Sequence, residues 1–169
     1  MVAILMPIPD YHPSYSKALY SKEGNLISAT ISRDQQWCFP MDEKLPDRMI
    51  KCIVIFEDEY YYYHPGVNPV SIINAAIANF KARRKVRGAS TITMQLMRMK
   101  NKNARRSLIN KMIETIGALK YSLIHSKAAV IKEWAEIAPF GGNTIGVKAA
   151  ALRYYGRSVD QLSWGEYAL

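Results

Sequence analysis

Hydrophobic residues recur at helical spacing from about residue 46 to the end of the chain, which predicts a succession of amphipathic helices. The first helix is expected to begin at Pro46 and to run to Glu57. The second follows Asn68, a good N-cap residue, with Pro69 at the first helical position. The predicted apolar faces are Ile50, Ile53 and Val54 in the first helix and Val70, Ile73, Ile77 and Phe80 in the second.

Four more helices are predicted after a break at residues 88–90. A short one carries Ile92, Leu96 and Met99, and a long one covers about residues 104–125. The long helix has an apolar stripe, expected to be buried, made of Leu108, Met112, Ile116, Leu119 and Leu123. A second, more polar stripe contains Ser107, Lys111, Glu114, Ala118 and Tyr121. Ser126 is expected to cap the next helix, with apolar positions at Val130, Ile131, Trp134 and Ile137, and Gly156 to end the one after it.

The two ends of the chain have a different character. Residues 1–45 read as an extended segment with a β-hairpin around the turn Lys22-Glu23-Gly24-Asn25. At the other end Ser163 and Glu166 have capping-box spacing, so a helix is expected to begin there, although only a few residues follow. We therefore predict a mainly α domain over residues 46–169, incomplete at its C-terminal end, preceded by an extended segment with a short β element.

Composition indicates a globular protein, because 49% of the residues are hydrophobic and 22% are charged. No run of about 18 apolar residues is present, so no membrane-spanning segment is predicted within the chain. Cys52 lies in the apolar run "MIKCIVIF", which favours a buried free thiol over a disulfide with Cys38. Neither cysteine has a second ligand type at metal-site spacing.

The net charge of +9 comes from one segment. Residues 81–111 contain eleven of the 23 basic residues and no acid, and the rest of the chain has 12 basic against 14 acidic residues. Such a local excess indicates an anionic partner, although a solvated basic face is the simpler alternative.

Three short stretches could carry chemistry. Glu57 and Asp58 stand between "IVIF" and four tyrosines, and we expect these surroundings to remove water from a carboxylate and suit it as a general base. Lys111 and Glu114 are one helical turn apart, as in an ordinary ion pair. The stretch "GASTITMQL" offers backbone N–H groups and hydroxyls to an anion at a helix start, but it lacks the lysine of a Walker motif.

Taken in order, these stretches resemble the motifs of the family 51 glycosyltransferases, the peptidoglycan-polymerising domains of class A penicillin-binding proteins. The first family motif is Glu-Asp-Arg-x-Phe-x-x-His-x-Gly, and the residues that fall on it are Glu57, Asp58, Tyr61, His64 and Gly66. The second is Gly-Gly-Ser-Thr-Ile-Thr-x-Gln-Leu, matched over residues 88–96 except at Ala89. The third is Arg-Lys-x-x-Glu, matched at Lys111 and Glu114. "APFGGN" and "GVKAAALRYYG" resemble the fourth and fifth, and "GVNP" with "APFGGN" is most similar to the C-type branch.

The resemblance implies a lysozyme-like, mainly α glycosyltransferase domain. Its implied reaction polymerises lipid II into β-1,4 glycan strands with inversion and releases undecaprenyl pyrophosphate. Glu57 would be the general base, and Glu114 with Lys111 would stabilise the departing pyrophosphate in the same cleft. The implied substrate-binding residues are Asp58, His64, Ser90, Thr91, Gln95, Arg98, Arg106 and Lys111.

The implied partners are lipid II, the growing glycan chain, the inner-membrane surface and a transpeptidase domain in a longer chain, with no nucleic acid. No cofactor and no protein-bound metal are implied, although a divalent cation such as Mg or Mn can join the pyrophosphate. The implied location is the outer, periplasmic face of the bacterial cytoplasmic membrane, with an anchor outside this chain.

Three positions depart from the family pattern, namely Glu59, Asn110 and Glu136, where the family has arginine, arginine and asparagine. These departures leave open a domain that binds lipid II without catalysis. A nucleic-acid-binding module that uses residues 81–111 is a further alternative, although no recognised DNA- or RNA-binding motif is present.

Overall fold

The structure is a computed structural model that describes residues 7–23, 26–84, 86, 88–102 and 107–168. About 53% of this part of the chain is helical. The α-helices are α1 (Asp47–Glu57), α2 (Pro69–Ala82), α3 (Ile92–Lys100), α4 (Leu108–Ile124), α5 (Lys127–Ile137), α6 (Val147–Tyr155) and α7 (Trp164–Ala168). Single 3₁₀ turns cover Tyr61–Tyr63 and Val159–Gln161. The prediction of a mainly α, lysozyme-like class is confirmed.

The strands are short. Strand β1 (Lys17–Tyr20) pairs antiparallel with β2 (Leu26–Thr30), and the register shifts between Leu19 and Tyr20. Strand β3 (Trp37–Cys38) pairs parallel with β4 (Thr144–Ile145). The predicted hairpin is thus confirmed, although residues 24 and 25 of its turn lie outside the described residues.

Contacts group the residues into two compact units, each discontinuous in sequence. The first contains residues up to Asp10 and Ile53–Val130, and the second contains Tyr11–Cys52 and residues from Ile131 onward. Helices α1 and α5 contribute residues to both units. All the candidate site residues belong to the first unit.

In the first unit α3 packs against α4 through the stripe of α4 that the sequence marks as polar. Glu114, Ala118 and Tyr121 are buried there, whereas the stripe expected in the core is largely exposed, with Leu108 and Leu123 more than 80% accessible. The predicted orientation of α4 is therefore wrong. Gly117 lies in this contact, because a Cβ there would be 3.3 Å from Cγ of Met97, which is tighter than an ordinary van der Waals contact.

Helix α2 begins as predicted, since the Asn68 side chain accepts a hydrogen bond from the backbone N–H of Ser71 at 3.0 Å. Its apolar face points away from the described core. Val70, Ile73, Ile77 and Phe80 are all exposed, while Ala75 is buried. The helical period correctly groups these side chains on one face, but periodicity alone does not say what covers that face.

The second unit is built around α5 and α6. Ile131, Trp134 and Ile137 of α5 are buried, as predicted. Gly146 starts α6 at a φ of +82°, and a Cβ there would collide with the carbonyl oxygen of Glu136. The capping box at Ser163 is also confirmed, because its backbone N–H donates to the Glu166 carboxylate at 2.8 Å.

Glu136 organises the N-terminal part of the same unit. Its carboxylate accepts hydrogen bonds from the Tyr15 hydroxyl at 2.5 Å and from the Met41 backbone N–H at 3.3 Å. The departure from asparagine at this position therefore has a structural role, since it ties the extended segment to α5.

Within the part of the chain that the structure describes, no helix combines the length and the hydropathy needed to cross a bilayer.

The two cysteines are free and differ in accessibility. Cys38 is buried, and burial together with the nearby Glu136 raises the pKa of its thiol to about 12. Cys52 is free, as predicted, but it is only partly buried.

We expect Cys52 to react readily with a thiol reagent near neutral pH and Cys38 to react only after denaturation. Thiolates are the reactive form, and Cys38 is buried with a raised pKa. Cys52→Ala should remove the readily reacting thiol, and Cys38→Ala should retain it. Two readily reacting thiols in the native protein would contradict the burial of Cys38.

Candidate active site

Glu57 is the last residue of α1, and its side chain is exposed. Its Oε2 accepts a hydrogen bond from Nε2 of Gln95 on α3 at 2.7 Å, and Oε1 accepts none from the residues that the structure describes. The expected desolvation by the tyrosines is wrong, because only Tyr61 of the four is buried and the other three project outward. Glu57 is thus an oriented carboxylate that solvent reaches.

Asp58, by contrast, is buried and holds two elements together. Nε2 of His64 lies 2.9 Å from Oδ1 and 3.1 Å from Oδ2 of Asp58, so this nitrogen carries the proton that the carboxylate accepts. Oδ2 also accepts the backbone N–H of Ile92, the first residue of α3, at 3.1 Å. A carboxylate at a helix N-terminus satisfies a free N–H group and complements the helix dipole. Asp58 therefore fixes the start of α3 against the end of α1.

Thr91 makes a second connection at the start of α3. Its Oγ1 donates to the carbonyl oxygen of Gly66 at 2.6 Å and accepts the backbone N–H of Met94 at 3.2 Å as the helix N-cap. Gly66 has a φ of +90°, a conformation that favours glycine. The hydroxyl of Thr91 is therefore occupied within the protein, and the roles of Asp58, His64 and Thr91 as direct substrate ligands stay predictions.

Lys111 joins the third motif to the second. Its Nζ donates to Oγ of Ser90 at 2.7 Å and to Oε2 of Glu114 at 2.9 Å. Glu114 is buried, and Lys111 remains partly exposed. Glu57 thus bonds Gln95, and Lys111, which pairs with Glu114, bonds Ser90, five residues before Gln95. The shared cleft of Glu57 and Glu114 stays a prediction.

The basic segment divides into residues with different surroundings. Arg98 on α3 is exposed and has no hydrogen-bond or ion-pair partner among the described residues. Lys100 is buried, with its Nζ 5.1 Å from the centre of the Tyr121 ring. Arg106, the other predicted phosphate ligand of this segment, lies outside the described residues.

Lys127, the first residue of α5, was missed by sequence reasoning. Its Nζ donates to the carbonyl oxygens of Tyr61 and His64, both at 2.6 Å. Lys127 lies outside the stretches that the sequence analysis singles out, and Tyr61 stands at the position where the first family motif has phenylalanine. The Tyr61 hydroxyl donates to the carbonyl oxygen of Lys127 at 2.8 Å, a bond that phenylalanine cannot make.

The other departures have little effect on this geometry. Glu59 is exposed and has no hydrogen-bond or ion-pair partner within the described ranges. The backbone N–H of Asn110 donates to Oγ of Ser107, the N-cap of α4, at 3.1 Å. Neither residue disturbs Glu57 or Glu114 in this structure.

Among the residues that the structure describes, no three His, Cys, Asp or Glu side chains come together as ligands for a metal ion. Glu114 pairs with the ammonium of Lys111 through Oε2. The divalent cation that the resemblance allows on the pyrophosphate stays a prediction.

Glu57 is an exposed carboxylate oriented by Gln95 of α3, and the ammonium of Lys111 bonds Ser90, which lies just before the start of the same helix. A carboxylate and an ammonium are used by the class of enzyme that activates a hydroxyl next to an anionic leaving group. The family comparison agrees with this class, because residues 23–169 match the family model described as "Transglycosylase". The chain therefore belongs to the transglycosylase family.

Relatives of two types are similar to this chain. Penicillin-binding protein 1A of Aquifex aeolicus is 32% identical over all of the chain, and penicillin-binding protein 1C of Escherichia coli is 29% identical over 98% of it. Penicillin-binding protein 1A of Escherichia coli is 33% identical over 89% of the chain. The chain spans 24%, 21% and 18% of the length of these relatives. Because penicillin-binding proteins 1A and 1C both match, the closer resemblance to the C-type branch stays a prediction.

The loop that ends at Gly66 generates a stability prediction. A Cβ at this position would lie 2.6 Å from the carbonyl oxygen of Ala118 and would collide with Ser122, in addition to the strained φ. We expect Gly66→Ala to lower the free energy of unfolding by about 1–3 kcal/mol, measured by urea denaturation. The control is Gly165→Ala, because a Cβ there meets nothing within 4 Å. Equal stability of the two variants would contradict the close packing of this loop on α4.

Proposed function

We propose that this domain is a peptidoglycan glycosyltransferase that polymerises lipid II into β-1,4 glycan strands. The observation that carries the proposal is the meeting of two pairs, Glu57–Gln95 and Lys111–Glu114, at residues 90–95 in a chain of the transglycosylase family. The first pair supplies a base and the second a cationic site, which are the two groups that a glycosyl transfer from a lipid diphosphate needs.

In the proposed reaction Glu57 takes the proton of the C4 hydroxyl of lipid II, the acceptor. The hydroxyl oxygen attacks the anomeric carbon of the growing glycan chain from the face opposite the diphosphate, which inverts that carbon. The bond between the anomeric carbon and the diphosphate oxygen breaks, and undecaprenyl pyrophosphate leaves with the electron pair. The bond from Gln95 to Oε2 would hold the carboxylate of Glu57 in place while it accepts the proton.

The leaving-group side would be formed by Lys111, Ser90 and Arg98, with Arg106 added by family position. An ammonium and a guanidinium aimed at the diphosphate stabilise the charge that develops there. Glu114 would hold the ammonium of Lys111 in place through its 2.9 Å bond. A divalent cation would have to be bound mainly by the pyrophosphate itself, because the described residues offer no ligand set for it.

The exposed apolar faces of α2 and α4 favour binding of the domain to a membrane surface. Val70, Ile73, Ile77 and Phe80 form the exposed face of α2, which is followed by Lys81, Arg83 and Arg84. Helix α4 exposes Leu108, Ile109, Met112, Leu123 and Ile124. Apolar faces flanked by basic residues suit the boundary of an anionic lipid layer, where the lipid tails of both substrates would remain.

The location proposed is the outer face of the bacterial cytoplasmic membrane, where peptidoglycan strands are assembled. A transpeptidase domain in a longer protein is the proposed partner, since the similar proteins are named penicillin-binding proteins and the chain spans about a quarter of their length or less. Nucleic acid is not a proposed ligand, because the basic segment includes the buried Lys100 and the occupied Lys111.

We expect Glu57→Gln to lower the rate of glycan polymerisation by about 10²–10⁴-fold, because it removes the general base and leaves an isosteric side chain. The measurement is the formation of polymer from labelled lipid II by the purified protein. Glu59→Gln is the matched control, since Glu59 is an exposed acid two residues away, and it should retain most of the activity.

Near-normal turnover by a folded Glu57→Gln variant would exclude Glu57 as the base. Binding of a lipid II analogue without polymer formation by the wild-type protein would favour the alternative of a binding domain without catalysis.

Simultaneous Arg98→Ala and Arg106→Ala substitution should weaken binding of a pyrophosphate-bearing lipid by about 10²-fold or more, because two charge-assisted hydrogen bonds of roughly 1.5–3 kcal/mol each would be lost. Binding of a neutral disaccharide should change little. The control replaces Arg33 and Lys51, two exposed basic residues outside the segment, by alanine. Unchanged lipid binding would show that these arginines are not pyrophosphate ligands, and a large loss of duplex DNA binding would support the nucleic-acid alternative.

A further inference from the structure

Lys127 makes an unusual set of contacts for a charged residue at the start of a helix. Besides its two bonds to carbonyl oxygens, its ammonium lies 4.2 Å from the centre of the buried Tyr61 ring. It has no carboxylate partner among the described residues. Burial lowers the pKa of Lys127, and the nearby Asp58 opposes this shift. The side chain is thus committed to backbone groups of a segment more than 60 residues away in sequence.

The two carbonyl oxygens belong to the segment that follows the predicted base. Tyr61 begins the 3₁₀ turn that covers Tyr61–Tyr63, and His64 is the residue after this turn. The backbone hydrogen bonds of the turn are local, because the N–H of Tyr61 donates to the carbonyl oxygen of Asp58 at 2.8 Å and that of Tyr63 to the carbonyl oxygen of Tyr60 at 2.9 Å. The buried Tyr61 side chain adds one long-range bond, from its hydroxyl to the backbone of Lys127. One ammonium that bonds both ends therefore restricts the whole turn.

From this turn, a continuous series of bonds leads back to the base. The His64 ring donates to Asp58, and Asp58 accepts the first N–H of α3. One turn further along α3, Gln95 donates to Glu57. A displaced turn would move His64, then the start of α3, then the side chain that orients Glu57.

We propose that Lys127 is a positioning residue for the glycosyl transfer, which clamps the Tyr61–Tyr63 turn and thereby keeps Gln95 in place to orient Glu57. This inference rests on the proposed function, since it assigns the clamp to that reaction. Lys127 does not touch the reacting atoms in this role. Its effect passes through the turn, and it should therefore alter the chemical step more than substrate binding.

The experiment compares Lys127→Met with wild type in polymerisation of lipid II, because methionine has a similar length and no donor. A displacement of about 1 Å at a catalytic group can cost about 10²-fold in rate. We expect kcat to fall by about 10–100-fold with KM within about twofold. Lys127→Arg retains the charge, the donors and the ring contact, and it should recover a large part of kcat.

Two controls separate the clamp from general effects of substitution. Lys132→Met changes a lysine on the same helix that has no hydrogen bond or ion pair among the described residues, and it should behave as wild type. Tyr61→Phe removes the hydroxyl bond to Lys127 and leaves both carbonyl bonds, and it should lower kcat much less than Lys127→Met. If Lys127→Met does not fold, Lys127→Gln, which keeps a donor, replaces it, with an intermediate loss of kcat expected.

Amide hydrogen exchange of residues 61–66 gives a readout that does not depend on activity. Exchange there should be faster in Lys127→Met than in wild type, while α6 should be unchanged. A folded Lys127→Met protein with wild-type kcat, or with unchanged exchange at residues 61–66, would overturn the inference. Absence of polymer from the wild type would instead refute the proposed function. The exchange data alone would then test whether Lys127 restricts the Tyr61–Tyr63 turn.

Discussion

The arrangement of the candidate site depends on one buried carboxylate. Asp58 is almost inaccessible to solvent, and a buried carboxylate must have its oxygens satisfied by donors. The donors are the imidazole N–H of His64 and the backbone N–H of Ile92, the first residue of α3. Asp58 therefore connects the end of α1, the loop at His64 and the start of α3. Glu57 precedes Asp58 directly and Gln95 lies on α3, and their contact follows from this junction.

The adjacent acids Glu57 and Asp58 thus have opposite environments and separate tasks. Asp58 is buried, and both of its oxygens accept hydrogen bonds within the protein. Glu57 is exposed, and among the described residues only its Oε2 accepts a hydrogen bond. Adjacent residues at a helix end diverge in direction by about 100° for each step of an α-helix, which is why one position can be buried and the next exposed. The burial that the sequence suggested for Glu57 belongs to its neighbour Asp58.

Local signals in the sequence were sufficient to predict the helices and the Lys111–Glu114 ion pair, whose members lie on one helix. The N-caps at Asn68 and Ser126 and the helix end at Gly156 were predicted because each depends on a few neighbouring residues. The orientations of α2 and α4 were not, because they depend on which surfaces meet, and the buried face of α4 carries Glu114, Ala118 and Tyr121 instead of the larger apolar side chains. Lys127 was missed for a related reason: its acceptors are carbonyl oxygens, which every residue has, so no side-chain pattern reports the contact.

The outward faces of α2 and α4 also govern how the domain behaves when it is handled in water. Phe80, Leu108 and Leu123 are each more than 80% accessible, and several further aliphatic side chains on the same two helices are at least half exposed. Apolar surface of this extent promotes self-association in aqueous buffer, since burying it between molecules removes it from water. The positive charge of the chain opposes that association at low ionic strength, and added salt weakens the opposition. Colloidal stability should therefore decrease with salt and improve with mild detergent, which covers the same faces.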